Sequence, residues 1–249
     1  MSGHSKWATI KHKKAAVDKA RGKLFAKLAR QIEVAAREGG GDPDTNASLR
    51  TMILKAKAGQ MTNDAIERAI KRGSGETTGA NYESITYEGY APGGVALLID
   101  VLTDNRNRTS GDVRSVFSKH GGAMAEPGAV GWQFSRKGVI IVDGKVAEDD
   151  VMTAALEAGA EDVSSDGDAW KVTTDPSDVW EVKAALESAG MLVLSAESTM
   201  VSANTVPVDN IDDAKKILRI LDALEDNDDI QDVYSNFDMS DDIMQEASA

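Results

Sequence analysis

The chain contains no cysteine among its 249 residues, and it has no long apolar run. Without cysteine, neither a disulfide nor a thiolate metal site can form, and a reducing compartment is the simplest expectation. The first residues include no apolar stretch of the kind found in a secretory signal. The longest apolar stretch, at residues 95–102, is interrupted by Asp100 and is too short to cross a bilayer. We therefore expect a cytoplasmic protein that has no membrane partner.

The sequence also offers little material for catalysis. Its three histidines, His4, His12 and His120, do not occur at metal-binding spacing, and no GxSxG or Walker A sequence is present. The glycines of residues 73–79 imitate a dinucleotide-binding fingerprint, but their spacing is wrong and they follow a predicted helix instead of a strand. The acidic run at residues 225–229 is typical of a solvated turn and lacks the features of a calcium loop. We expect no catalytic residue, no metal and no cofactor.

Charge is divided unevenly along the chain. The whole chain carries −13, but residues 1–75 contain 16 Lys and Arg against 7 Asp and Glu, which gives +9. The remainder, with 12 against 34, carries −22. A basic end on an acidic body is typical of a protein that neutralises phosphates with one domain, although chance variation along solvated surfaces is an alternative.

The basic end is predicted to be a helical domain at residues 1–78. A second helix begins near Asn46, and a third has Thr62 as its N-cap and ends at Gly73. The first helix spans about residues 18–37, and its two opposite faces repeat at helical period. The apolar face contains Leu24, Phe25, Leu28, Ile32 and Ala35, and the cationic face contains Lys19, Lys23, Lys27, Arg30 and Arg37.

The pattern becomes strand-like from residue 82 onward. Residues 138–200 follow the order βαββαβ, which is typical of a ferredoxin-like unit. The segments on either side of this unit complete a second α+β domain, with a hairpin, a helix at 110–120 and a strand at 130–134 before it, and a helix and a strand after it. We predict an α+β fold with a helical domain at 1–78, a discontinuous α+β domain at 79–134 plus 205–249, and an inserted α+β domain at 135–204.

Candidate nucleic-acid-binding residues occur first in the basic end. Lysine and arginine neutralise phosphates, and a tryptophan can stack on a base. The alternative is a solubilising tail with the tryptophan folded onto the helical core. The candidates are the leader residues Lys6, Trp7, Lys11, His12, Lys13 and Lys14, and the helix residues Lys19, Lys23, Lys27 and Arg30.

A second group of candidates forms the turn Asn105, Arg106, Asn107 and Arg108, which precedes a helix. The sequence predicts Thr109 as the N-cap of that helix. Arginines at the positive end of a helix are unfavourable unless an anion lies between them. That anion is either a phosphate of a bound nucleic acid or a carboxylate in an internal salt bridge, and the sequence supports both interpretations equally.

Eight stretches of the sequence resemble the YebC/PmpR family of bacteria and organelles. Together they extend over essentially the whole chain: residues 3–7 (GHSKW), 21–25 (RGKLF), 39–43 (GGGDP), 66–73 (IERAIKRG), 87–90 (YEGY), 102–109 (LTDNRNRT), 156–162 (LEAGAED) and 224–226 (LED). The resemblance implies a helical domain and two ferredoxin-like domains. It also implies a role in gene expression, either as a DNA-binding transcriptional regulator or as a translation factor on the large ribosomal subunit that relieves stalling at proline-rich stretches.

We expect a monomeric binding factor without covalent chemistry, whose partner is nucleic acid, either ribosomal RNA or DNA. An acidic body would be repelled from an extended duplex, so the sequence favours a shaped RNA on the large ribosomal subunit. A DNA-binding transcriptional regulator is the second choice. An enzyme acting on a nucleotide or small anion at the Arg106 and Arg108 turn, and a protein-interaction module using the acidic domains, are the remaining alternatives.

Overall fold

The computed structural model describes residues 17–248, and it describes side chains from residue 22 onward. These residues divide into two compact units, one at residues 131–205 and the other at residues 17–130 together with 206–248. No helix in the described range is long and apolar enough to cross a membrane.

Three helices open the second unit: α1 (Val17–Gly39), α2 (Ala47–Ala58) and α3 (Asn63–Gly73). Local chemistry sets their ends as the sequence predicts. The side chain of Asn46 accepts a hydrogen bond from the backbone N–H of Leu49, and that of Thr62 accepts one from Ala65. The three helices enclose a core of their own, which consists of Leu28, Ile32, Ala35, Ala36, Leu49, Ala56, Met61, Ile66 and Ala69.

The faces of α1 differ from the prediction at one apolar and several cationic positions. Leu24 is 44% exposed, so it does not belong to the core. Lys23, Lys27 and Arg30 are half-buried, although the helical period assigns them to the face opposite the core. Both faces of the helix are therefore in contact with protein, and the partner of the cationic face lies outside the helical domain.

The remaining elements are α+β. In chain order they are β1 (Glu83–Ala91), β2 (Val95–Thr103), α4 (Arg106–Lys119), β3 (Ala123–Ala125), β4 (Phe134–Asp143), α5 (Glu148–Glu157), β5 (Asp162–Asp166), β6 (Ala169–Thr174), α6 (Val179–Ser188), β7 (Val193–Ser202), β8 (Val206–Pro207), α7 (Ile211–Glu225), β9 (Ile230–Ser235), β10 (Phe237–Asp238) and α8 (Asp241–Ser248).

The unit at residues 131–205 has a four-stranded antiparallel sheet in the order β5-β6-β4-β7, with α5 and α6 enclosing a core against it. This is the strand order of the ferredoxin-like fold. The entry and the exit of the chain meet, because Phe134 pairs with Ser202 and the backbone N–H of Ala203 donates to the carbonyl of Gln133 at 2.8 Å.

The other sheet has the order β3-β1-β2-β9 and is also antiparallel. This is also a ferredoxin-like strand order. In it, β1, the first strand along the chain, occupies the place that the third strand has in the other sheet. Its core includes Phe117, Ile217, Leu221 and Phe237. The α+β fold with an N-terminal helical region is confirmed, while the exact domain boundaries stay a prediction.

One local expectation about this domain is wrong, and one element was not predicted. The strand predicted at residues 130–134 lies earlier, at Ala123–Ala125, and residues 131–133 form a short 3-10 turn. Val130 is nevertheless fully buried, because the carboxylate of Glu88 accepts hydrogen bonds from the backbone N–H groups of Gly128 and Val130 and holds this loop against the sheet. The chain also ends in a helix, α8, which the sequence pattern did not predict.

Candidate nucleic-acid interface

The predicted leader residues lie outside the described part of the chain. These are Lys6, Trp7, Lys11, His12, Lys13 and Lys14, and for Lys19 only the helical backbone is described. Their proposed contact with nucleic acid stays a prediction.

The cationic face of α1 contacts an acidic turn that follows α7, at residues 225–229. The ammonium group of Lys23 lies 2.8 Å from Oδ1 of Asp226, and that of Lys27 donates to the carbonyl of Glu225 at 3.0 Å. The guanidinium of Arg30 donates to Oδ1 of Asp229 at 2.9 Å and also to the carbonyl of Asp228. Asp226 and Asp228 are exposed, as expected of a solvated turn, but the turn also supplies the acceptors for three cations that α1 presents at positions i, i+4 and i+7.

The N-terminus of α4 contacts the same turn from the other side. Asn105 is its N-cap and accepts from the N–H of Arg108 at 3.1 Å. The prediction of Thr109 as N-cap is wrong, because the hydroxyl of Thr109 is buried and donates to Oδ2 of Asp229 at 2.7 Å. Arg108 donates to the same oxygen at 2.7 Å and to Asp104 at 2.9 Å.

The carboxylate of Asp229 is the anion that the helix end requires. Internal salt bridges hold Arg108, whereas Arg106 and Asn107 are exposed. Whether a phosphate also binds at this turn stays a prediction. Asp104 and Asp229 together raise the pKa of the Arg108 guanidinium through hydrogen bonds and charge, so this side chain is a permanent cation.

The environment of Asp229 combines burial with strong hydrogen bonding. Its side chain is 7% exposed, and burial alone would raise the pKa of the carboxyl group. Hydrogen bonds from Arg108 and Thr109 and the positive charges of Arg108 and Arg30 outweigh burial, so the pKa lies below its ordinary value. The residue is ionised at neutral pH, and it links α1, the N-terminus of α4 and the acidic turn.

Sequence reasoning missed this link because nothing in the local pattern connects its two sides. Lys23 and Asp226 are 203 positions apart. The signal was present only as a complementarity of charge between one helix face and one short acidic run. Neither segment by itself identifies the other as its partner.

Four exposed cations of the helical domain form neither an ion pair nor a side-chain hydrogen bond with another described residue, whereas Arg50, which is also exposed, donates to the carbonyls of Pro43 and Asp44. Lys55 and Lys57 are in the last turn of α2, and Arg68 and Lys71 are on α3. Leu54, beside the first pair, is 63% exposed. A helix end that carries free cations next to an exposed apolar side chain suits contact with a phosphate backbone and its sugars. Between residues 22 and 248, no group of three or more His, Asp or Glu side chains is arranged to hold a metal ion.

Family models match most of the chain. The model described as the TACO1/YebC protein N-terminal domain matches residues 5–76, and the model described as the TACO1/YebC second and third domain matches residues 82–237. The chain belongs to the TACO1/YebC family. The junction between the two matches falls between α3 and β1, where the helical domain gives way to the first sheet.

Individual family members are similar over their full length. A protein of Halothermothrix orenii is 56% identical over 249 residues, which are 99% of this chain and 98% of that protein. A protein of Rubrobacter xylanophilus is 56% identical over the whole of both chains. Both are named probable transcriptional regulatory protein. The crystal structure of a conserved hypothetical protein from Aquifex aeolicus is 47% identical and has a TM-score of 0.80, over 95% of this chain and 98% of that chain.

Proposed function

We propose that this chain is a nucleic-acid-binding gene-expression factor that acts in the cytoplasm as a monomer and without covalent chemistry. Its helical domain contacts phosphates of RNA on the large ribosomal subunit, and it relieves stalling at proline-rich stretches. Family membership and the names of the relatives support a role in gene expression.

The observation that carries the proposal is the separation of charge between domains. Residues 1–75 carry +9 and the rest of the chain −22. The surface of the helical domain carries part of this positive charge, because none of four exposed cations is neutralised by a described side chain. These are Lys55, Lys57, Arg68 and Lys71. Such cations release counterions when they bind phosphates, and this supplies affinity without reading sequence.

The acidic body favours a particular geometry of target. A straight DNA duplex longer than the helical domain would bring phosphates close to the −22 remainder, and that approach is repulsive. A folded RNA that presents phosphates to the helical domain alone avoids this repulsion. Regulation of transcription through DNA is the second candidate function, and the names of the relatives favour it.

The experiment compares binding to isolated large ribosomal subunits with binding to duplex DNA at the same salt concentration. The double variant Lys55→Ala/Lys57→Ala should lose affinity for the subunit. The matched control is Lys119→Ala/Arg219→Ala, which removes two exposed cations outside the helical domain. Equal affinity of both double variants and the wild type would contradict the assignment to the helical domain. Tighter binding to DNA than to the subunit would favour the second candidate function.

A further inference from the structure

The helical domain and the discontinuous sheet domain have separate hydrophobic cores. The buried residues of the first lie between Leu28 and Ala69, and those of the second lie between Ala91 and Met244, with no residue in common. The contacts of α1 with the acidic turn are hydrogen bonds and ion pairs. Breaking these contacts would leave both cores intact, and ionic contacts weaken as salt or a competing polyanion is added.

The acidic turn presents its oxygens as a run of consecutive acceptors. Carbonyls of Glu225, Asp226 and Asp228 and carboxylates of Asp226 and Asp229 all accept from the three cations of α1. The carbonyls also lie at the C-terminal end of α7, where the helix dipole adds negative charge. A row of closely spaced anionic oxygens is what a nucleic-acid backbone offers to a helix with cations on one face.

We infer that Lys23, Lys27 and Arg30 form a phosphate-binding row that the acidic turn covers until nucleic acid displaces it. This inference rests on the proposed function, because the displacing ligand is the RNA backbone. The turn is an internal competitor, so binding requires α1 to exchange one set of anionic oxygens for another. The exchange makes the affinity for nucleic acid lower than that of an uncovered cationic helix.

Exposure indicates which contacts give way. Lys23 and Asp226 are 28% and 70% exposed in their side chains, so water screens this pair and it is weak. The carboxylate of Asp229, which is buried, keeps its bonds to Arg108 and Thr109 when α1 leaves, because both partners belong to the sheet domain. Asp229 then loses only its contact with Arg30. The turn therefore stays ordered on the sheet domain while the row on α1 becomes accessible.

The test compares two neutralising variants in the same turn. Asp226→Asn removes the carboxylate that binds Lys23, whereas Asp228→Asn removes an exposed carboxylate that pairs with no described side chain. Both change the net charge equally. With a labelled single-stranded RNA of mixed sequence, Asp226→Asn should bind about two- to fivefold tighter than Asp228→Asn, which is the range that corresponds to one exposed ion pair. The slope of log affinity against log salt should steepen by about 0.7 for each additional RNA phosphate that the variant neutralises.

Lys23→Gln provides the opposite perturbation. It breaks the same ion pair but also removes a cation from the row, so we expect weaker RNA binding than in the wild type. If the pair only held the domains together, Asp226→Asn and Lys23→Gln would change affinity in the same direction, and the inference would be overturned. Equal affinities of Asp226→Asn and Asp228→Asn would also overturn it, while loss of binding in Lys55→Ala/Lys57→Ala would leave the proposed function standing. Absence of binding in every protein, both to this RNA and to isolated large ribosomal subunits, would contradict the inference and the proposed function together.

Discussion

Replacing Asp229 with Asn removes the charge at the centre of the network and nearly preserves the size of the side chain. The carboxylate accepts hydrogen bonds from Arg30 at 2.9 Å, from Arg108 at 2.7 Å and from Thr109 at 2.7 Å. An amide at this position has one acceptor oxygen instead of two, and its NH₂ group faces donors. We expect the variant to fold with lower stability, because two arginines lose their shared anion.

The size of the effect follows from burial. Removing one partner of a fully buried ion pair costs about 3–5 kcal/mol. Here the side chain of Asp229 is 7% exposed, but those of Arg30 and Arg108 are 20% and 48% exposed, so both arginines regain water when the charge is removed. We therefore expect a loss of about 2–3 kcal/mol in the free energy of unfolding. For a unit of this size, that corresponds to a fall of about 4–12 °C in melting temperature.

The assay is thermal and urea unfolding of the full chain, with Asp228→Asn as the control. Because the carboxylate of Asp228 is exposed and pairs with no described side chain, this control should stay within about 0.5 kcal/mol of the wild type. If Asp229→Asn melts together with the wild type and the control, Asp229 does not hold α1 and α4 together, and the proposed role of the network is refuted.

The remaining predictions concern pH, packing and domain structure. The pKa of Asp229 is depressed on folding, so its contribution to stability is complete above the ordinary value of 3.8 and is lost as pH falls through the folded value. The difference in stability between wild type and Asp229→Asn should therefore stay constant from neutral pH down to about 4 and then shrink. A difference that shrinks at higher pH would contradict this. Gly89→Ala should cost about 1–3 kcal/mol in chemical denaturation, since the new Cβ would clash with Cζ of Phe117, whereas Gly111→Ala, in open space on α4, should be neutral or stabilising. Excising residues 135–204 and joining the ends through a short Gly/Ser linker should leave two pieces that each melt cooperatively, because the entry and exit strands pair at Phe134 and Ser202; loss of cooperative melting in both pieces would refute the insertion.

The elements of the fold that depend on neighbouring residues were predictable from the sequence. The caps at Asn46 and Thr62 and the order βαββαβ at residues 134–202 follow from side-chain chemistry and periodicity over a few residues. The strand β3 was misplaced because it has only three residues, Ala-Met-Ala, which lack the β-branched pattern of a strand. Its position depends on pairing with β1, which is a tertiary contact.

The candidate site was only partly predictable for the same reason. Helical period identified the cationic face of α1 and the unusual arginines before α4, but both sets of residues meet anions that lie more than a hundred positions away. Asn105 and Thr109 are both of residue types that cap helices, with Asn the more favourable of the two. Because the hydroxyl of Thr109 donates to the carboxylate of Asp229, Asn105 caps the helix and Thr109 does not.

Binding of the helical domain to RNA of the large ribosomal subunit is the centre of the proposed function. The most direct measurement is co-sedimentation of the full chain with purified large subunits over a range of salt concentrations, for the wild type, for Lys55→Ala/Lys57→Ala and for the control Lys119→Ala/Arg219→Ala. We predict saturable binding that weakens with salt, that falls in the first double variant with a shallower salt dependence, and that is unchanged in the control. Binding that is absent in the wild type, or that falls equally in both double variants, would contradict it.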